Sequence, residues 1–169
     1  LVALTSAPPS SASLVEIDRE TGAQELLFDW LPSTSRALAA EATGSWLVGT
    51  SPEPFGPQIG EILRIDPAGT DELLSSGGLL TSVDQIALAR DGAVIVLDRR
   101  AARVVRVDAT TGEQELLGLA PDGTAHLTLD RADRPLVAVE DRVIRLEPDG
   151  SQTLLTSASE LWDRFGLDL

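Results

Sequence analysis

Residues 103–118 read RVVRVDATTGEQELLG, and this pattern decides the fold because the chain repeats it. It contains alternating apolar and polar residues, an acidic residue, a turn with Gly, and a segment with paired leucines. Alternation with a period of two predicts a β-strand, and the acidic residue followed by Gly predicts a hairpin turn into a second strand. Near-copies occupy 14–28 (LVEIDRETGAQELLF), 62–76 (ILRIDPAGTDELLSS) and 143–157 (VIRLEPDGSQTLLTS).

Two further strand-like segments precede each hairpin. In the third unit they are 85–89 (QIALA) and 93–98 (AVIVLD), joined by a turn at Gly92. Each unit is therefore predicted to be a four-stranded meander, whose strands we label a to d in chain order. The units recur at intervals of roughly 40–50 residues, which is typical of β-propeller blades, because one such sheet buries both faces only when neighbours stack against it.

The two ends of the chain complement each other. The segment 1–6 (LVALTS) matches strand b, so the first unit begins without a strand a, whereas 162–169 (WDRFGLDL) aligns with the strand-a segment 83–90 (VDQIALAR). We predict a single all-β domain over 1–169, a β-propeller of about four four-stranded antiparallel blades in which the C-terminal strand completes the first blade. The predicted blade units are 1–30 with 162–169, 33–76, 82–118 and 123–157.

The composition disfavours several classes of function. The chain has 13 Lys+Arg against 27 Asp+Glu, a formal net charge of −14, and such a surface repels nucleic acid and anionic lipid. It contains no Cys, so it has neither a disulfide framework nor thiolate chemistry. No run of about 18 apolar residues occurs, so membrane insertion is not expected.

The segment 91–112 (DGAVIVLDRRAARVVRVDATTG) resembles an NHL-type repeat, in which an Asp-Gly hairpin precedes an Arg-Val strand. The wider resemblance, along nearly the whole chain, is to six-bladed propellers similar to gluconolactonases and streptogramin lyases. Ala102 departs from the Asn often found before that Arg. Gluconolactonase-like relatives imply an axial calcium ion held by Glu, Asp and Asn, but this chain has no Asn. Lyase-like relatives imply reliance on His, and His126 is the only one here.

The propeller architecture indicates where a site would lie. Strand a lines the central channel, and alignment of the units brings residues at the start of each strand a to two successive levels. Such a ring could hold a cation or a polar ligand, or it could be an internal salt-bridge ring that seals the channel. No residue is assigned a catalytic role, and no metal ligand is identified. The candidate binding residues of this channel mouth are Arg36, Asp84, Gln85, His126, Asp163 and Arg164.

The face of the propeller that carries the b-to-c and d-to-a connections is the second candidate site. The b-to-c connection is predicted to be long in the first two units, at 7–12 and 51–60, and Pro residues stiffen both. Ordered loops on a rigid scaffold commonly form recognition surfaces, and a tolerated insertion is the alternative. The candidate binding residues on this loop face are Phe55, Gln58, Trp30 and Trp162.

These features favour a non-enzymatic module that uses the loop face to bind a protein, a glycan or a small polar ligand. We expect an extracytoplasmic or secreted location, although no signal peptide is visible in the sequence. The alternative function is a fragment of a propeller hydrolase or lyase whose axial metal site is completed elsewhere. No cofactor is evident, and calcium (Ca²⁺) is the candidate under that alternative. The chain could form a complete ring, a piece of a larger one, or half of a homodimer that completes a larger ring.

Overall fold

The computed structural model describes residues 1–7, 11–32, 34–51 and 58–157. This part of the chain consists of strands, turns and loops without a helix, so none is long and apolar enough to cross a membrane. The strands are β1 (Val2–Ala7), β2 (Ser11–Ile17), β3 (Gln24–Pro32), β4 (Ser35–Ala40), β5 (Trp46–Thr50), β6 (Glu61–Ile65), β7 (Asp71–Ser76), β8 (Gln85–Leu88), β9 (Val94–Asp98), β10 (Arg103–Val107), β11 (Gln114–Leu119), β12 (Thr124–Leu129), β13 (Pro135–Val139), β14 (Arg142–Leu146) and β15 (Gln152–Ser157).

The strands form four separate antiparallel sheets, each a simple meander. Blade I contains β1–β3, blade II β4–β7, blade III β8–β11 and blade IV β12–β15. The predicted all-β fold with four-stranded antiparallel blades is therefore confirmed. Blade I has three strands in the described part of the chain, because the strand predicted over 162–169 lies outside the described residues.

Blades stack face to face, and apolar side chains fill each junction. In blade III the second strand is buried on both faces, which explains its uninterrupted apolar run: Val94 and Val96 belong to the cluster with blade II, whereas Ile95 and Leu97 belong to the cluster with blade IV. A third cluster joins blades I and II. Each fully buried aliphatic side chain contributes roughly 1.5–3 kcal/mol, so these three clusters dominate the stability of the domain.

The acidic residues that follow strand c of the blades stabilise the hairpin turns, as predicted. The Asp108 carboxylate accepts hydrogen bonds from the backbone N–H groups of Thr110 and Thr111, both at 2.8 Å, and these bonds lower the pKa of Asp108. The fourth blade differs, because Glu147 is one methylene longer and its carboxylate binds side chains instead. Asp149 takes over the turn in that blade.

The predicted long connection over 7–12 was wrong in its extent. Strand β1 continues to Ala7 and β2 begins at Ser11, and these two residues pair with each other. The Leu4–Leu14 pair lies in the core and fixes a register that continues to the end of the hairpin. Only residues 8–10, which lie outside the described residues, separate the strands.

Candidate functional site

A cleft of about 420 Å³ opens between blades II, III and IV. The b-to-c connections of blades II and III and the d-to-a connections before β8 and β12 form its walls, so it lies on the loop face. Its polar lining consists of three arginines, two serines, two aspartates and one threonine: Arg36, Arg99, Arg100, Ser51, Ser82, Asp84, Asp122 and Thr124. We call it the loop-face cleft.

The three arginines of the cleft have no carboxylate partner among the described residues, and each of them is exposed. Most arginines elsewhere in the described part of the chain form ion pairs, for example Arg64 with Glu41 at 2.9 Å. An unpaired guanidinium keeps all five N–H donors available in a planar fork that matches carboxylate and phosphate. The cleft is therefore a locally basic site on an acidic protein.

The Asp84 carboxylate is engaged by the protein itself. Its Oδ2 accepts a hydrogen bond from the Arg99 backbone N–H at 3.0 Å and lies 2.6 Å from the Ser82 hydroxyl, which shares its single proton between Asp84 and Asp98. These bonds join the d-to-a connection of blade III to the b-to-c turn that carries Arg99 and Arg100. Asp84 thus holds the backbone of the turn at Arg99, and its charge limits the net positive charge of the cleft.

Ser51 contributes an unsatisfied hydroxyl to the cleft. Its side chain is only 7% exposed, and its Oγ has no hydrogen-bond partner among the described residues. The backbone is fixed, because the Ser51 N–H donates to the Thr34 carbonyl at 3.0 Å. A buried polar group without a partner costs about 1–3 kcal/mol, so this hydroxyl gains free energy from a ligand or a water molecule that binds to it.

A fully buried carboxylate, Asp98, supports the cleft from below. Burial alone would raise its pKa, but hydrogen bonds from the Ala101 N–H, from the N–H and hydroxyl of Thr81, and from the Ser82 hydroxyl outweigh burial and hold the pKa below its ordinary value. Arg103 Nε lies 3.5 Å from the carboxylate and adds an ion pair. Asp98 thereby fixes both connections of blade III that line the cleft.

Two residues of the innermost strands, Gln85 and His126, join blades III and IV. The Leu127 N–H donates to Gln85 Oε1 at 2.6 Å, which fixes the orientation of the amide. Gln85 Nε2 then donates to the Ala125 carbonyl and to His126 Nδ1, both at 3.1 Å. With the amide in this orientation, Nδ1 of the imidazole is the acceptor of this bond.

The residues predicted at the channel mouth fall into three groups. Arg36 and Asp84 line the loop-face cleft. Gln85 and His126 lie next to the cleft on strands β8 and β12, where they bind each other. The remaining two predicted residues, Asp163 and Arg164, lie outside the described residues. The binding roles of all six residues stay predictions.

Of the four residues predicted on the loop face, the structure describes Trp30 and Gln58, and their binding roles stay predictions. Trp30 is 84% exposed at the end of β3, with a φ of 71° that is unusual for a residue with a side chain. Gln58 is exposed beside β6. Phe55 and Trp162 lie outside the described residues.

Sequence reasoning missed Arg99, Arg100, Ser51 and Asp98. The first two lie in the short b-to-c turn between β9 and β10. A usable signal was present, since consecutive arginines in a connection on the same face as Arg36 are unusual in a chain with 27 acidic residues. The role of Asp98 could not be predicted, because its partners lie on a connection that precedes it by about sixteen residues.

Comparison with known proteins places the fold among the β-propellers. No protein-family model matches the chain, and no curated protein matches its sequence. Solved structures do resemble it. A chain of the nidogen/laminin complex is 13% identical with a TM-score of 0.66, and the match covers 92% of this chain and 60% of that one. The calcium-binding protein regucalcin from Agrobacterium tumefaciens strain C58 is 21% identical with a TM-score of 0.64 (89% of this chain and 58% of that one), and streptogramin B lyase is 12% identical with a TM-score of 0.62 (90% and 53%).

These relatives share the propeller architecture that the sequence resemblance implied. The chain spans only 53–60% of their length, and both enzymes and other proteins are among them. The described residues contain no group of three His, Cys, Asp or Glu side chains that could hold a metal ion. The acidic ligand set implied by the gluconolactonase resemblance therefore does not fit this part of the chain.

Proposed function

We propose that this propeller is a recognition module that binds a small anionic ligand in the loop-face cleft. The observation that carries the proposal is the convergence of three unpaired arginines, Arg36, Arg99 and Arg100, on one cleft with the unsatisfied hydroxyl of Ser51. All four groups can donate hydrogen bonds to an anion. The ligand class is a compound that carries a carboxylate or a phosphate group.

The chemistry of the donors supports this ligand class. Guanidinium groups bind carboxylate and phosphate oxygens in a bidentate manner, and each such charge-assisted bond contributes about 1.5–3 kcal/mol. A cleft of about 420 Å³ has the size of a small-molecule site. The net charge of −14 repels anions at long range, but this field is screened beyond about 8 Å at physiological ionic strength, so the adjacent arginines determine binding.

The proposed location is extracytoplasmic. One solved structure with a similar fold is the extracellular domain of a putative one-component system from B. thetaiotaomicron, BT4673, at 15% identity and a TM-score of 0.61. The acidic surface favours solubility, which suits a module that recognises small anions outside the cytoplasm.

Isothermal titration calorimetry with inorganic phosphate and with citrate tests the proposal. We expect both anions to bind the wild-type chain and the double variant R99Q/R100Q to lose at least roughly tenfold in affinity. The matched control is R19Q/R131Q, because Arg19 and Arg131 are also exposed and unpaired among the described residues but lie outside the cleft.

Two results would contradict this function. The first is an absence of binding to the wild-type chain. The second is an equal loss in both double variants, since that would indicate binding to net charge rather than to a site. A thermal stabilisation by calcium chloride that anions do not produce would instead favour the hydrolase or lyase alternative.

A further inference from the structure

The outward face of blade IV repeats the residues that blades II and III use to contact the next blade. Leu47 pairs with Arg64 in blade II, Ile95 with Arg106 in blade III, and Leu136 with Arg145 in blade IV. The adjacent apolar pairs follow the same register: Gly49 with Ile62, Leu97 with Val104, and Ala138 with Val143.

Burial distinguishes the last blade from the other two. Leu47 and Ile62 are fully buried against blade III, and Leu97 and Val104 are fully buried against blade IV. Their counterparts in blade IV are only partly buried and belong to none of the three apolar clusters of the described residues. We call this surface the blade IV free face; its residues are Leu136, Ala138, Val143 and Arg145.

Blade I carries the complementary surface. On β1 and β2, Val2, Leu4 and Leu14 point towards blade II, so the alternate residues point the other way. At the same positions blade III presents Val94, Val96, Val105 and Val107 to the preceding blade. We call this surface the blade I free face; its residues are Leu1, Ala3, Val15 and Ile17. Leu1 is 60% exposed, Ala3 and Ile17 are partly buried, and Val15 is buried at 9% exposure.

We propose that the blade IV free face of one copy of this chain packs against the blade I free face of a second copy. The argument is continuity, because the chain forms this type of junction three times within itself, between consecutive blades. Head-to-tail contacts between different surfaces either close into a ring or continue into an open filament.

The charges make the association dependent on salt. Each copy carries a net charge of −14, so repulsion opposes the contact at low ionic strength. The contact itself is mainly apolar, and Arg145 already pairs with Glu147 at 2.6 Å within its own blade. We therefore expect added salt to strengthen the association. An interface held together by ion pairs would instead be weakened by salt.

Analytical ultracentrifugation of the chain, whose monomer mass is 17.9 kDa, tests the proposal. We expect the wild type to self-associate, and Leu136→Glu and Ile17→Glu each to be monomeric because each introduces a charge into one free face. Leu73→Glu is the matched control, since Leu73 is 57% exposed on the outer strand of blade II and lies on neither face. This control variant should associate like the wild type.

Mixing the two monomeric variants gives the decisive result. Each variant retains one intact face, so an equimolar mixture should form a heterodimer through the remaining pair of faces. A misfolded variant could not restore association in this way. Leu136→Ala, which adds no charge, should weaken self-association roughly tenfold.

Three outcomes would overturn the proposal. A wild type that stays monomeric at high salt has no such interface. A mixture that remains monomeric excludes the head-to-tail contact. A monomeric wild type that is destabilised by Leu136→Glu more than by Leu73→Glu would show that residues of the same chain cover the blade IV free face.

Discussion

Replacing Asp98 by Asn preserves the shape of the side chain but removes a buried negative charge and one acceptor. Oδ1 accepts a hydrogen bond from the Ala101 N–H at 2.9 Å, and Oδ2 accepts one from the Thr81 N–H at 2.7 Å. Both oxygens therefore face backbone donors, and the amide of Asn presents its own N–H group to one of them in either orientation. One backbone N–H is left without an acceptor, whichever way the amide turns.

The expected loss of stability follows from these contacts. A hydrogen bond to a charged acceptor contributes about 1.5–3 kcal/mol, and a buried donor left unsatisfied costs about 1–3 kcal/mol. Because the two effects overlap, we expect Asp98→Asn to lower the free energy of unfolding by about 3 kcal/mol. This is a large share of the roughly 5–15 kcal/mol that stabilises a typical domain.

Urea denaturation followed by Trp fluorescence measures the change. The midpoint should fall while the slope of the transition stays the same, because the surface exposed on unfolding is unchanged. Asp122→Asn is the control, since Asp122 is exposed at the cleft and should alter stability by less than about 0.5 kcal/mol. A loss below about 1 kcal/mol for Asp98→Asn would refute the account of this carboxylate as the support of the two connections.

Three further predictions concern acid stability, packing and the blade junction. The pKa of Asp98 in the folded protein is held below its ordinary value of 3.8, so the stabilisation by its charge is complete above pH 3.8 and is lost as the pH falls through the folded-state pKa. The melting temperature of the wild type should therefore fall more steeply below about pH 4 than that of Asp98→Asn. Gly60→Ala should cost about 1–3 kcal/mol in urea denaturation, because the added Cβ would lie 2.8 Å from the Ser82 backbone; a neutral effect would mean that the loop yields freely. Gln85→Leu should cost about 1–2 kcal/mol and accelerate hydrogen exchange at the Leu127 N–H, and unchanged exchange would contradict its role in joining blades III and IV.

The blades could be predicted from the sequence, because each strand and each hairpin turn depends on residues that are close together in the chain. Alternation around residues such as Val105 and Val107 defines the strands, and Asp108 with Gly112 defines the turn, so each hairpin can be read from about fifteen residues. Repetition then supplies the stacking, since one sheet cannot bury both faces alone. The limit of this reasoning is visible at Ala7 and Ser11, where the register of the core continued the strands further than the prolines suggested.

The cleft was only partly predictable, because it depends on contacts between blades. Alignment of the units put Arg36 and Asp84 at one level, and both line the cleft. Alignment compares equivalent positions, however, and Arg99 and Arg100 occupy a turn that has no equivalent residues in the fourth unit. The buried partners of Asp98 and the unsatisfied hydroxyl of Ser51 depend on side-chain geometry that a linear pattern does not contain.

The bond between Gln85 and His126 has a practical consequence for experiments on this protein. The chain contains a single histidine, so its imidazole gives one set of nitrogen signals in a nuclear magnetic resonance spectrum. Its Nδ1 is hydrogen-bonded to Gln85 at the junction of blades III and IV, and opening of that junction would break this bond and shift those signals. The histidine is therefore a native probe of whether neighbouring blades separate, and it requires neither a label nor a mutation.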